Sequence, residues 1–427
     1  MMRSAKIPTW KQSGSALGLL LCLILLSVLV APTAGAQTFT VIHSFTGGND
    51  GAYPAAGLIT DRAGNLYGTA SGGGLGGNGC IVPGGCGTAF RLKPSGTGWL
   101  FTPLYQFHGG TNDGGSPEAR MVFGPDGRLY GTTVGGGANH DCGNNYDPCG
   151  IAFRLTPPTT ICKSAICPWN ETVIHNFAPV PDASTPIGSM VVDAAGNFYG
   201  AASGGAYEFG AIYELTSSGG AWNLNLIYNN FTDGGPMSGV VFDNAGNLYG
   251  SDEGEGYGGV FQLTHSGSGW TLNQLYSIID VITDGFYNPS PPLLDNVGNI
   301  YGSTVEEGTG GGGTIFELTA GNWNFQALYY FSGAGGPEES LTMDAAGNLY
   351  GTTFEDGAYD KGSVFKLTPT DGGWTYTDLH DFTGGSDGEE PVSNVIVDAQ
   401  GNLYGTTSHG GGNSCSNGCG VVWEVTP

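Results

Sequence analysis

Positive charge is the scarcest thing in this sequence. Its 427 residues hold 12 Lys and Arg against 37 Asp and Glu, a formal charge of −25. Backbone recognition of nucleic acid rests on clustered Lys and Arg that displace counterions, so a nucleic-acid role is excluded, and attraction to anionic lipid with it. Long apolar runs are equally few. The one present, residues 16–30, follows Arg3, Lys6 and Lys11 and precedes the small residues Ala34, Gly35 and Ala36. That order predicts a cleaved export signal over 1–36, with no membrane insertion afterwards. Cleavage removes three positive charges and no acids, moving the formal charge to −28, which favours solubility. Apolar spacing of three to four residues is missing throughout, and 79 glycines would penalise helices.

Zinc frameworks are lacking as well: no C-x-x-C pair occurs and no histidine accompanies each cysteine pair. Of nine cysteines, Cys22 leaves with the signal, and eight remain as Cys80/Cys86, Cys142/Cys149, Cys162/Cys167 and Cys415/Cys419. An even count of close pairs in an exported chain predicts local disulfides, each pinning a glycine-rich loop.

What is present is one phrase, repeated. Asp-x-x-Gly-Asn-Leu-Tyr-Gly, followed by small residues, returns with its tyrosine at 67, 130, 199, 249, 301, 350 and 404. Blade 2 departs from it, with Gly124 for the aspartate and Arg128 for the asparagine. Repetition at this period marks units that bury their faces only by stacking on neighbours. Each unit reads as four short strands. An apolar run ends at the aspartate, a D-x-x-G-N turn follows, and the L-Y-G phrase is the second strand. The third is G-x-x-F-x-L, as at Phe90/Leu92 and Phe365/Leu367, and the fourth runs from a tryptophan to an aromatic-x-Phe, as in 99–107 and 374–382. Alternate residues of a strand face opposite sides, yet both Leu66 and Tyr67 are large, so both faces of the sheet must be covered. A ring of sheets packed face to face does this. The last unit stops after its third strand, and residues 38–45 match the missing fourth. The expectation is therefore an all-β, seven-bladed propeller of four-stranded antiparallel blades over 37–427, its last blade closed by the mature N-terminal strand.

The succession G-N-L-Y-G-T-T, G-G, G-T-V-F-K-L, W and L-Y-x-F resembles the GloVer-type (Gloeobacter/Verrucomicrobia-type) tandem repeats of exported bacterial proteins. The resemblance spans essentially all of 37–427. It implies an exported β-repeat protein, periplasmic or extracellular, and brings no catalytic residues to this chain. Such proteins often carry a separate sorting tail; none is visible here, so surface anchoring is not expected.

Chemistry is thinly marked. Residues 384–388 fit G-x-S-x-G, but as one copy of a repeated loop and not between a strand and a helix, so Ser386 is not read as a nucleophile. His43, His175 and His380 fill a slot held elsewhere by tyrosine and read as packing residues, while His108, His140, His265 and His409 are assigned to loops. Channel-facing positions, four residues before each motif aspartate or its equivalent, are Gly57, Arg120, Ser189, Gly239, Pro291, Ser340 and Asn394. They include no acid, which argues against a metal-dependent lactonase. Glu118, Glu338 and Glu339 lie slightly earlier, nearer the mouth, and are the acids left for a hydrolase or lactonase, the alternative reading.

The leading reading is a non-catalytic binding or scaffold protein, monomeric, with a glycan or protein partner on its acidic loop face. Long loops at 71–86, 134–149 and 408–419 belong to ring neighbours 1, 2 and 7 and hold three cysteine pairs, predicting a raised, disulfide-pinned wall. The expected binding residues are His140, Tyr146, His409, Asp50, Asp113 and Asp387, with Arg120 in the channel. No cofactor or metal site is expected; calcium is the one ion that the loop carboxylates Asp50, Asp113, Asp233, Asp284 and Asp387 could suit.

Overall fold

Asp61 shows how the repeated phrase becomes structure. One carboxylate oxygen accepts the backbone N–H groups of Ala63 and Asn65 at 2.9 and 3.0 Å. The other accepts the Asn65 amide at 2.7 Å and the Tyr67 hydroxyl at 3.0 Å. Gly64 turns the chain at φ +76°, a left-handed conformation that glycine adopts without penalty. The same turn forms at Asp193, Asp243, Asp295, Asp344 and Asp398. Blade 2 keeps the turn by moving the acid: Asp126, two residues beyond Gly124, accepts the Tyr130 hydroxyl at 2.9 Å and the Arg128 guanidinium at 2.8 Å. Burial opposes ionisation of Asp61, Asp126, Asp243 and Asp344, but the converging hydrogen bonds outweigh it and hold all four below the ordinary carboxylate range.

Each turn joins a two-residue or longer inner strand to the L-Y-G strand, and the strands continue outward in order. In the computed structural model, blade 1 is Ile59–Thr60, Leu66–Ala70, Thr88–Ser95 and Gly98–Gln106. Five further blades repeat this order, giving with the last seven four-stranded antiparallel sheets in a ring, a seven-bladed propeller. The structure describes residues 37–426, apart from 78–79, 83, 140, 143–147, 160–166, 205–208, 232–233, 255–256, 268, 286–289, 334 and 413–414. Val281–Asp284 form a single helical turn after blade 4, which the sequence pattern did not signal.

Every residue of Leu66–Ala70, Leu129–Thr133, Leu248–Asp252, Ile300–Thr304, Leu349–Thr353 and Leu403–Thr407 is buried, so the second strand is covered on both faces as its composition required. The motif glycine lies opposite the aromatic residue of strand three, as Gly68 does opposite Phe90. In all seven blades a Cβ on that glycine would lie within 2.6 Å of the facing ring. The motif tyrosine then points to the next blade: Tyr67 packs against Trp169, Tyr130 against Trp222 and Tyr404 against Trp99.

Thr38–Ser44 pair antiparallel with Val421–Thr426, so the N-terminal strand completes the last blade as expected. Phe39 stacks on His380 at 3.6 Å, and Phe45 is 1% exposed. A second device links the blades. The N–H of Tyr53, Ser116 and Thr185 donates to the carbonyl of Cys419, Cys86 and Cys149 in the preceding blade. Their own carbonyls accept from Ser71 and Val134 backbone and the Ser203 hydroxyl of the following one. Cys80–Cys86, Cys142–Cys149 and Cys415–Cys419 are disulfides, so three pinned loops supply carbonyls to this inter-blade ladder. Cys167, half-buried in the connection between Ile151–Thr156 and Asn170–Asn176, is also disulfide-bonded. Its expected partner, Cys162, lies outside the described residues, and so does most of the loop that this pair was expected to pin. Cys167 therefore stands apart from the three loops of the ladder.

Deleting residues 37–45 should leave Val421–Thr426 as an open edge and remove the packing of Phe39 and Phe45. We expect a melting temperature lower by roughly 10 °C or more and concentration-dependent aggregation. Calorimetry and light scattering test this; an unchanged transition would refute the closure.

Candidate functional site

The inner strands leave a central cavity of about 650 Å³, within the size range of small-molecule sites. Gly57, Arg120, Ser189, Pro291, Ser340 and Asn394 line it, as their register predicted. The seventh position, Gly239, packs against the Ser189 backbone. Most of the wall is small or apolar, including Ala55, Pro186, Val240, Leu341 and Met343. Against that background Glu118, Arg120, Glu338, Glu339 and Asn394 stand out as polar lining residues. The three glutamates set aside as mouth acids therefore share the cavity with Arg120.

Their electrostatics differ by depth. Protein surrounding Glu339 pushes its carboxyl up to about 8; Glu338 adds repulsion, while Arg120 and the Ser340 N–H oppose the shift. Glu338 is raised by burial and then by Glu390, Glu355 and Glu306, residues of the loop face, so it stands where the channel opens onto that face. Glu118 reaches lumen water yet is also raised by the protein packed around it. Arg120 is lowered by desolvation, with Glu339 countering. Among the described residues, Glu118, Arg120, Glu338 and Asn394 have no side-chain hydrogen bond and no ion pair within 4.0 Å.

The loop residues are committed elsewhere. Asp50 accepts from the Thr46 N–H at 3.0 Å and from the Thr46 hydroxyl, and lies 3.3 Å from His43 Nε2. Asp113 accepts from the Tyr105 hydroxyl and the His108 N–H, both at 2.9 Å, and from Gly114 N–H at 2.7 Å. Asp387 accepts from Thr383 N–H at 3.0 Å and lies 3.2 Å from His380 Nε2. His175 meets Asp182 in the same way at 3.1 Å, and Tyr276 donates to Asp284 at 2.6 Å. The histidines of the tyrosine slot are thus more than packing residues. They also anchor the following loop through its aspartate, seven or eight residues downstream, a spacing visible in the sequence that the packing interpretation overlooked. His265 is a strand residue of Gly259–Ser266 and not a loop histidine, whereas His108 does lie in a loop, just after the strand Gly98–Gln106, with its Nδ1 3.0 Å from Asp113.

The loops after strands two and four do share a face: Gly74 N–H donates to Gly48 O, Gly137 N–H to Gly110 O and Gly411 N–H to Gly385 O. His409 joins this face to the channel mouth, its Nδ1 lying 2.7 Å from Glu390 and its ring 5.2 Å from that of Tyr53. His140, Tyr146 and Asp233 lie outside the described residues.

Glu339 makes a stability prediction with a definite sign. Its folded-state value is raised above the ordinary 4.5, so the folded protein binds more protons than the unfolded one between about 4.5 and about 8, and stability falls as pH rises through that window. Glu339→Gln should therefore melt higher than the parent at pH 8, with the difference closing toward pH 4. A constant difference across that range in differential scanning calorimetry would show that Glu339 is not held protonated.

Similarity to known proteins is strong in repeat pattern and weak in residue identity. No curated protein matches the sequence. Among solved structures, the extracellular domain of a proposed hybrid two-component system of B. thetaiotaomicron superposes with TM-score 0.54 at 11% identity, over 90% of this chain and 39% of that one. The chain thus spans about two fifths of that protein. A proposed 6-phosphogluconolactonase of Bacteroides fragilis gives 0.51 at 12% identity, over 84% of this chain and 98% of its own. These likenesses are to the fold. The profile of the Gloeobacter/Verrucomicrobia repeat matches residues 28–201 and 253–427, covering the turn, glycine and aromatic pattern built up above, and the chain belongs to that family.

Proposed function

We propose that this is an exported, non-catalytic binding protein whose central channel takes a small polyhydroxylated ligand, such as a glycan fragment. The observation carrying this reading is the contrast in hydrogen bonding. Loop acids at Asp50, Asp113 and Asp387 are occupied in holding their own loops, whereas Glu118, Arg120, Glu338 and Asn394 face a cavity without partners among the described residues. These four side chains are open to the cavity and held by no described protein group, so they are available to a polar ligand there. Sugars match such a wall, because hydroxyls both donate and accept while ring faces pack on small apolar groups. Export is supported by the N-terminal charge and hydropathy pattern and by the disulfides.

One observation favours a hydrolase as the second reading. Glu339 is a carboxylic acid held protonated near neutral pH, beside Glu338, which suits proton donation to a leaving oxygen.

Titration calorimetry of the mature protein against a panel of short glycans tests the first reading. Arg120→Ala should weaken binding by about tenfold or more, and Ser340→Trp, which fills the lumen, should abolish it, while Asp387→Asn on the loop should leave affinity unchanged. Binding that survives the Ser340→Trp plug would place recognition on the loop face instead. Turnover of a lactone or glycoside that is lost in Glu339→Gln would favour the hydrolase.

A further inference from the structure

We infer that the channel ligand carries a carboxylate, as a uronic or aldonic acid does, and that Arg120 and Asn394 together receive it; this rests on the channel-binding reading above. Among the described residues lining the cavity, Arg120 is the only Lys or Arg. A guanidinium stays charged and presents a planar fork of donors that matches a carboxylate. Arg120 is half-buried and partly desolvated, a loss that a counter-charge would offset. Here no carboxylate of the described residues lies within ion-pair distance of it, although three glutamates line the same cavity. Glu339 attracts Arg120 from a distance but is itself held largely protonated, so it does not supply a full counter-charge.

A second group converges on the same point. Gly57 has no side chain, and the space its Cβ would take is filled by the Asn394 amide oxygen, with Arg120 Cδ 3.5 Å from that position. Asn394 is 7% exposed, and its amide has no partner among the described residues. Blades 1, 2 and 7 therefore bring a glycine gap, a guanidinium and an amide together; the amide oxygen, an acceptor, fills the gap, so the amide nitrogen is the donor that Asn394 can offer beside the guanidinium. Ser189 and Ser340 on the wall can meet the hydroxyls of the same ligand.

The surroundings limit the anion to one charge. Glu338 stands at the mouth beside Glu306, Glu355 and Glu390, and a phosphate dianion would meet this acidic ring with twice the repulsion of a carboxylate. A neutral sugar would leave Arg120 without a counter-charge.

The test uses the mature protein with galacturonate and glucuronate, their neutral parents galactose and glucose, and glucose 6-phosphate, at fixed ionic strength. Each uronate should bind about tenfold or more tightly than its parent. Arg120→Met should bring that ratio to about one, and Arg120→Lys should keep part of it. The preference should shrink as pH rises through about 8, where ionised Glu339 faces the ligand together with Glu338. Melting curves establish that the variants fold; where Arg120→Met does not, the Arg120→Lys ratio and the pH profile decide. Equal affinity for uronate and parent, with both lost in Ser340→Trp, would overturn the carboxylate and leave the channel reading standing. Tighter binding of the phosphate would also overturn it. Absence of binding by any of the five sugars would overturn both.

Discussion

An aromatic ring laid across a glycine is the contact on which the rest of this molecule depends. The second and third strands of each blade can approach only because the motif glycine leaves room for the ring of Phe90, Phe153, Tyr213, Phe261, Phe316, Phe365 or Trp423, each at most 1% exposed. A bare glycine in a strand is normally a weakness, since it gives up backbone entropy and packs nothing. The facing ring covers that gap from across the ladder and buries large apolar area in the same stroke. Once the two strands are fixed, the motif tyrosine has one direction left to it. It reaches the tryptophan of the next blade while its hydroxyl returns to the turn aspartate. Turn, sheet and ring closure thus follow from a single spacing.

Polar groups divide into two populations on this scaffold. Those on the loops serve the fold: a His or Tyr near the end of strand four meets the aspartate of the following loop and fixes where that loop begins. Those of Glu118, Arg120, Glu338 and Asn394 in the channel serve no contact the described residues reveal. Charge sharpens the distinction. The protein is strongly acidic, yet the lumen holds an arginine and a carboxyl that desolvation keeps largely neutral. The interior of the ring is therefore less negative than its rim, and a rigid frame holds the difference in place.

Much of this was legible in the chain because repetition averages out local noise. The seven L-Y-G phrases, the aromatic opposite each glycine and the missing last strand fixed blade count and closure without any long-range information. The channel positions were legible too, since register counts residues from the motif. Other features were not. Asp126 taking over from a missing aspartate needs the turn in three dimensions, because the acid moves by two residues and its bond to Tyr130 survives. Glu339 looked like a mouth residue in sequence; only its surroundings reveal that its proton is retained. The approach of Asn394 and Arg120 to the same glycine, Gly57, joins residues from distant parts of the chain, which no local pattern encodes.

The closing strand has a temporal meaning. Thr38 and Thr426 are joined by a hydrogen bond across 388 positions, so the strand made first must wait for the strand made last. Intermediate blades can zip up locally as they emerge, each hairpin being a near-neighbour event. The final join cannot begin until the whole ring is present. Folding then divides into many fast local steps and one slow, chain-spanning encounter, during which both partner edges stand open. A protein built this way has reason to finish folding where unfinished copies are dilute.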